Sequence, residues 1–282
     1  MKRTIWLLVL MIGIPVFGQK KQKIKGNREV INRLYTVPPF EKAKWGEHLR
    51  VYIKRASDTT QIQLRADENL HEVLKWNVED GVLHLYTSKI IVKKKAFEIT
   101  IYVPDHFNGL MLEEYAQAKM EDKQRFDRFE IQMKDRAKAD LKLDLKEDLI
   151  LMLNDDAEAK LDVEAEKFKM ILTKDANVEG SLFGKEINYT GENTSDAFFS
   201  GSVNKLYLKL KDKAEFTGKK LSITKKAEVH LKDKSSASVK GKNMEDIFMR
   251  LYEKNTLYLL GSIKNFHLEV FKGHSTLVRT EE

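Results

Sequence analysis

A strand-turn-strand pattern that returns every 19 or 20 residues over positions 110–218 constrains this chain more than any other feature. One apolar column runs Leu110, Phe129, Leu149, Phe168, Ile187, Leu206, and its neighbour runs Leu112, Ile131, Leu151, Met170, Tyr189, Leu208. After a polar turn comes a column of small residues, Ala118, Ala137, Ala157, Ala176, Ser195, Ala214. Two positions further on stand Met120, Ala139, Ala159, Val178, Ala197 and Phe216. Intervening positions such as Glu158, Lys160 and Asp162 are charged, and strict alternation is the period of a half-buried strand. A unit this small cannot bury its apolar face alone, whereas stacked neighbours share a continuous core. The expected fold is therefore all-β, a parallel β-helix or β-solenoid with about 19-residue repeats over residues 105–282. Residues 149–163 also read as strand, turn, strand, so an antiparallel series of hairpins is the alternative.

The register falters past Gly218. Leu221, Ile223, Ala227, Val229 and Leu231 arrive early, residues 232–238 read as a polar loop, and no rungs are assigned over 219–246. The period resumes with Ile247, Met249 and Leu251, answered by Phe266, Leu268 and Val270. Terminal repeats must cap the core, a role given to residues 279–282.

Residues 24–104 form a different, β-rich opening section. Residues 49–53 and 61–64 flank polar Ser57, Asp58, Thr59 and Thr60 as in a hairpin, and Asp80-Gly81 is a strong two-residue hairpin signal. Asp67 is placed as the N-cap of one helical turn that points Leu70, Val73 and Leu74 inward.

Residues 1–18 read as a signal peptide: Lys2 and Arg3 form the basic start, and an apolar run over 5–17 follows. That run is shorter than the roughly 20 residues of a membrane span, so the mature chain is expected to begin near Gln19, exported to the periplasm, the cell surface or the medium and not membrane-spanning. The absence of Cys closes lipoprotein acylation, disulfides and thiolate zinc sites. The formal net charge is +7, and losing Lys2 and Arg3 leaves +5. Both signs alternate along the strands with no basic stripe and no interleaved aromatics, which excludes a nucleic-acid track; the charged alternate positions Lys142, Asp144, Lys160 and Asp162 also disfavour a membrane barrel.

Val37-Pro38-Pro39-Phe40, Arg65-Ala66-Asp67-Glu68-Asn69-Leu70, Val78-Glu79-Asp80-Gly81-Val82-Leu83 and Ile101-Tyr102-Val103-Pro104, in that order before the repeats, resemble the head-GIN-domain family of auto-transporter adhesins. The resemblance implies an exported bacterial protein with a right-handed β-helix and no assigned catalytic residues. Family turns usually read Ser-Gly-Ser or Ser-Gly-Ala; this chain carries Lys134-Asp135-Arg136-Ala137, Asn154-Asp155-Asp156-Ala157 and Lys174-Asp175-Ala176 instead.

For chemistry, Asp135, Asp155 and Asp175 recur at twenty-residue steps beside Asp156. Rungs of a parallel coil stack about 4.8 Å apart, where carboxylates repel unless neutralised, so Ca²⁺ held by Asp135, Asp155, Asp156 and Asp175 is the candidate metal site. The plainer reading is that Asp favours turns and that Lys134, Arg136 and Lys174 neutralise the column. No His-Glu-x-x-His, nucleophile elbow or phosphate-binding loop is present, so no catalytic residue is assigned. Candidate exposed aromatics are Trp45, Trp76, Tyr189, Phe198, Phe199, Tyr207, Tyr252 and Tyr258. Phe198 is the candidate ligand contact, because it should point outward when Phe199 joins Val163 and Leu182 inside. The function read from this is an exported, non-enzymatic, adhesin-like binding or envelope protein, with a cell-surface polysaccharide or an envelope protein as partner. A β-helical polysaccharide lyase or hydrolase and a structural envelope protein are the alternatives.

Overall fold

The computed structural model describes residues 21–56 and 59–280. The signal peptide assigned to residues 1–18, Ser57-Asp58 and the last two residues lie outside them. The chain is nearly all β, with 71% of it in strands, and winds into a solenoid of about 9 turns with repeats of about 20 residues. Each rung has a first arm, a tight turn and a second arm, and every arm stacks in parallel on the same arm of the next rung. First arms run from Lys42–Trp45 through Gly109–Leu112, Phe129–Met133 and Asp148–Leu153, each hydrogen-bonded in parallel to the next. Second arms run from Arg50–Arg55 through Gln117–Lys119 to Lys138–Leu145 and the start of Glu158–Leu172. From there one long strand per rung carries a second arm into the next first arm: Asn177–Gly191, Asp196–Leu210, Glu215–Leu231, Ser236–Glu253, Thr256–Gly273. This parallel pairing excludes the hairpin alternative. Residues 149–153 and 158–163 both pair with their counterparts one rung away.

Burial follows the alternation. In Lys138–Leu145 the four apolar positions Ala139, Leu141, Leu143 and Leu145 are buried, and the four between them are not. Over residues 129–210 the columns are those read from the sequence, since Phe129, Leu149, Phe168, Ile187 and Leu206 stack in register. The first rung differs by two residues. Leu110 stacks on Ile131, not Phe129, and the small column begins at Ala116, with Ala118 on Ala139. The cause is an excursion between Gln117–Lys119 and Gln124–Phe126 that lengthens the arm.

Two register shifts in Glu215–Leu231, after Phe198/Thr217 and after Val203/Ile223, do the same for the rung that could not be assigned. Leu221, Ile223, Ala227, Val229 and Leu231 are all core, and residues 232–235 form the ordinary rung turn instead of a loop. A further shift after Met249 puts Phe271, not Val270, on Leu251.

The N-terminal end is closed by antiparallel strands. Val30–Thr36 pairs with Gln61–Asp67, which pairs with Phe97–Val103; Leu74–Glu79 and Val82–Thr87 form the expected hairpin, with φ of 49° at Asp80 and 73° at Gly81. The hairpin expected between residues 49–53 and 61–64 does not form. Phe97–Val103 lies between them, parallel to Arg50–Arg55 and antiparallel to Gln61–Asp67, and Arg50–Arg55 spends its other edge on Gln117–Lys119.

Asp67 is not the side-chain cap of its own turn. Its buried carboxylate accepts backbone N–H bonds from Ala96 at 2.9 Å, Lys95 at 3.1 Å and Arg28 at 3.2 Å, tying two remote segments to its own strand. Gly26 packs against it so closely that a Cβ there would overlap the carboxylate. Desolvation pushes the Asp67 pKa up, but those three N–H groups and the Lys95 charge outweigh it and hold the group below its ordinary value. A depressed folded pKa adds stability that is present above the unfolded value, near 4, and lost as pH falls through the folded one. Stability should therefore decline from about pH 5 downward, and Asp67→Asn should lower the melting temperature at pH 7 while flattening that acid decline, read by thermal melts across pH.

Candidate functional site

The outward positions of the second arms stack into charged columns. At the first two such positions stand Arg50 and Tyr52, then Gln117 and Lys119, Lys138 and Asp140, Glu158 and Lys160, Asn177 and Glu179. Together they line a groove of about 610 Å³ that crosses five rungs, floored by Ala118, Ala139 and Ala159. Arg50 donates to Gln117 Oε1 at 2.8 Å, while Lys138 pairs with Glu158 at 2.7 Å and Lys160 with Glu179 at 3.3 Å. Lys119 and Asp140 make no ion pair among the described residues, which leaves one donor and one acceptor side chain facing the groove.

A second hollow adjoins it on the turn side, sharing Gln117, Lys138 and Glu158. There His48 stacks on Tyr115 with ring centroids 4.7 Å apart, and Arg136 lies over the same ring at 5.7 Å. Arg136 also donates to the Tyr115 hydroxyl at 3.1 Å and bonds Asp156 at 3.2 Å; first the Asp156 carboxylate and then Tyr115 hold its guanidinium more firmly protonated.

The acidic turn residues have a structural role that runs the length of the coil. The second turn residue of successive rungs is left-handed, with φ of 58° at Glu114 and Asp135, 59° at Asp155, 60° at Lys174, Asn193 and Asp212, and 59° at Asp233. Asn and Asp tolerate that conformation best after Gly. Their side chains also accept the N–H of the left-handed residue one rung earlier: Glu114 N–H to Asp135 at 3.0 Å, Lys174 N–H to Asn193 at 3.2 Å, Asn193 N–H to Asp212 at 3.0 Å and Asp212 N–H to Asp233 at 3.1 Å. Asp135 and Asp155 share this column. Asp175 does not, because one 19-residue step puts Lys174 there instead, and Asp156 and Asp175 stand one position further along.

All four line an edge hollow with Lys174 and Arg136. Asp155 pairs with Lys174, Asp156 with Arg136, and Asp175 accepts from the Thr194 hydroxyl. The Lys174 hydrogen bond draws the Asp155 pKa down; burial opposes it, and the Asp135 N–H and Lys134 charge help it. Among the described residues, no group of three or more His, Cys, Asp or Glu side chains is placed to hold a metal ion.

Phe198 is 43% exposed and Phe199 is buried, as the alternation requires. Phe199 stacks on Gly180 and Leu161, however, and Val163 and Leu182 line up with Gly201, two positions along. Of the other aromatic candidates Tyr258 is exposed, while Trp45 and Tyr189 are core. Sequence reasoning missed Tyr52, Tyr115 and His48, because the step from the Arg50–Arg55 arm to Gln117–Lys119 spans 67 residues and escapes a 19-residue period.

The described residues form an all-β solenoid with a charged groove across five of its rungs. Residues 39–162 match the family described as "Putative auto-transporter adhesin, head GIN domain", so the resemblance drawn from the opening motifs holds over that stretch. Among solved structures, a putative adhesin from Parabacteroides merdae is similar at 15% identity and a TM-score of 0.66, and one from Parabacteroides distasonis at 16% and 0.65. A putative lipid binding protein from Parabacteroides distasonis is similar at 13% and 0.62. Each alignment covers 92% of this chain and 100% of the other, a likeness of fold. No curated protein matches the chain. Among the described residues no helix is long and apolar enough to cross a membrane.

Proposed function

We propose that this chain is an exported, non-enzymatic, adhesin-like protein of the cell envelope, whose groove over residues 50–179 binds an extended cell-surface polysaccharide. One observation carries the reading: the groove crosses five rungs and repeats donors and acceptors at the rung spacing of about 4.8 Å, a surface suited to a periodic polymer. Tyr52 supplies a ring for the apolar face of a sugar, and Lys119 and Asp140 supply hydrogen bonds with no internal partner to compete for them. The acids Glu158 and Glu179 are tied to Lys138 and Lys160, an arrangement for holding a ligand and not for moving protons. The adhesin descriptions of the family and of the similar structures agree with a binding role.

The test is retention of the mature protein, residues 19–282, on a panel of immobilised polysaccharides, with new reducing ends assayed in parallel. Retention without new ends is expected. Tyr52→Ala and Lys119→Ala should each weaken it about tenfold, the loss of one good contact. New chain ends would replace the binding reading with a carbohydrate-active enzyme, and unaltered retention in both variants would move the site elsewhere.

A further inference from the structure

Charge is segregated along the solenoid axis. Residues 113–166 carry 17 acidic and 10 basic side chains, whereas residues 205–242 carry 12 Lys and 4 acids. In the basic rungs only Lys211 and Lys226 make ion pairs among the described residues, with Glu192 and Glu228. Lys219, Lys220, Lys225 and Lys242 are exposed with no acid beside them. Between the two charged regions the second-arm face carries few charges: Ser181, Ser200 and Ser202 are small, Phe183 and Phe198 stand out at 46% and 43% exposure, and Glu179 is held by Lys160.

Two of the three outward columns of this face set acids opposite lysines when reversed; the third, Asp140, Lys160, Glu179, Phe198, Thr217 and Ser238, sets none. One stacks Asp144, Glu164, Phe183, Ser202, Ser222 and Lys240 in order. The next stacks Lys142, Asp162, Ser181, Ser200 and Lys220. From this we infer that the second-arm face of residues 138–242 docks a second copy of this chain, face to face and with solenoid axes antiparallel, about a twofold axis lying along the strands between the Ser181 and Ser200 rungs.

That operation sets Asp162 over Lys220 and Asp144 over Lys240, each twice, where the lysines join Lys123 and Arg125, the partners of Asp162 and Asp144 within one chain. It seats the Phe183 ring over Ser202 and Phe198 over Glu179. The contact is isologous and therefore closes at two copies. Three outward columns over six rungs measure about 20 Å by about 29 Å, so the pair buries on the order of 1,200 Å² in total, the lower end for a specific interface. A dimer of that size held by a charged rim is salt-sensitive. The contact covers three of the groove's five rungs, Asp140 included, and leaves Arg50, Tyr52, Gln117 and Lys119 outside it. Polymer and second copy therefore compete for those three rungs, while Tyr52→Ala and Lys119→Ala test retention and Lys220→Glu tests dimerisation separately.

The test is sedimentation of the mature protein at about 100 µM, with NaCl raised from about 0.02 M to about 0.5 M. A dimer at low salt that dissociates at high salt is expected. Lys220→Glu and Asp162→Lys should each raise the dimer dissociation constant tenfold or more, as expected for an opposed charge pair. An equimolar mixture of the two variants should dimerise again, because in the mixed pair the introduced glutamate of one chain meets the introduced lysine of the other, and the remaining Asp162 meets the remaining Lys220. Circular dichroism separates misfolding from lost contact. A monomer at low salt, or a dimer indifferent to both variants, overturns the inference. So does a monomer that binds vesicles of about 30% phosphatidylglycerol through Lys220, which would make the basic rungs a lipid surface instead.

Discussion

Gly201→Ala should cost on the order of 3–5 kcal/mol, from backbone strain and overpacking together. Gly201 has φ of 112°, where L side chains are strained, and it stacks directly on Leu182 of the rung below. A Cβ there would overlap the Leu182 carbonyl oxygen and come within 2.9 Å of its carbonyl carbon. That oxygen sits in the parallel ladder, so the rungs themselves would have to part. The control is Ser202→Ala, one position along on the outward side, where little change is expected. Guanidinium unfolding of the three proteins checks this, with the midpoint of Gly201→Ala well below the other two.

Phe168→Ala should cost about 3–5 kcal/mol by the usual arithmetic of a large buried ring removed without collapse of its site. Phe168 is fully buried, with Leu149 below it and Ile187 above. In a stacked coil each rung touches only its neighbours, so the damage should be local before it is global. Hydrogen exchange should show lost protection centred on residues 148–191, while the antiparallel N-terminal closure, whose core uses Leu64, Leu70 and Leu74, keeps its own. Uniform loss along the whole chain would contradict a rung-by-rung coil.

The same locality explains what could be read from the sequence. Between Phe129 and Leu210 the rungs are of nearly equal length, so apolar spacing alone gives the columns and the parallel stacking. Where a rung takes in extra residues, at positions 120–123 or at the register shifts of Glu215–Leu231, spacing no longer reports stacking, and Leu110 or Leu221 cannot be placed from it. Asp67 escaped for another reason. Its partners Arg28, Lys95 and Ala96 come from two remote segments, and only the fold brings their N–H groups to one carboxylate.

The acidic turns were legible as a recurrence and not as a ladder, because the succession of Asp135, Asp155, Lys174 and Asn193 in one left-handed column depends on whether each rung holds 19 or 20 residues. The groove was the least legible feature. Its alanine floor lies within the repeats, but Arg50 and Tyr52 reach it from outside the period, through the pairing of Arg50–Arg55 with Gln117–Lys119.

Hydrogen-exchange footprinting of the mature protein with a retained polysaccharide tests the central claim most directly, since it reads where the polymer lies. The account predicts added protection confined to the second arms at residues 50–52, 117–119 and 138–140, abolished by Tyr52→Ala. Protection centred instead on the first-arm face, around Lys169, Asn188 and Tyr207, would contradict it.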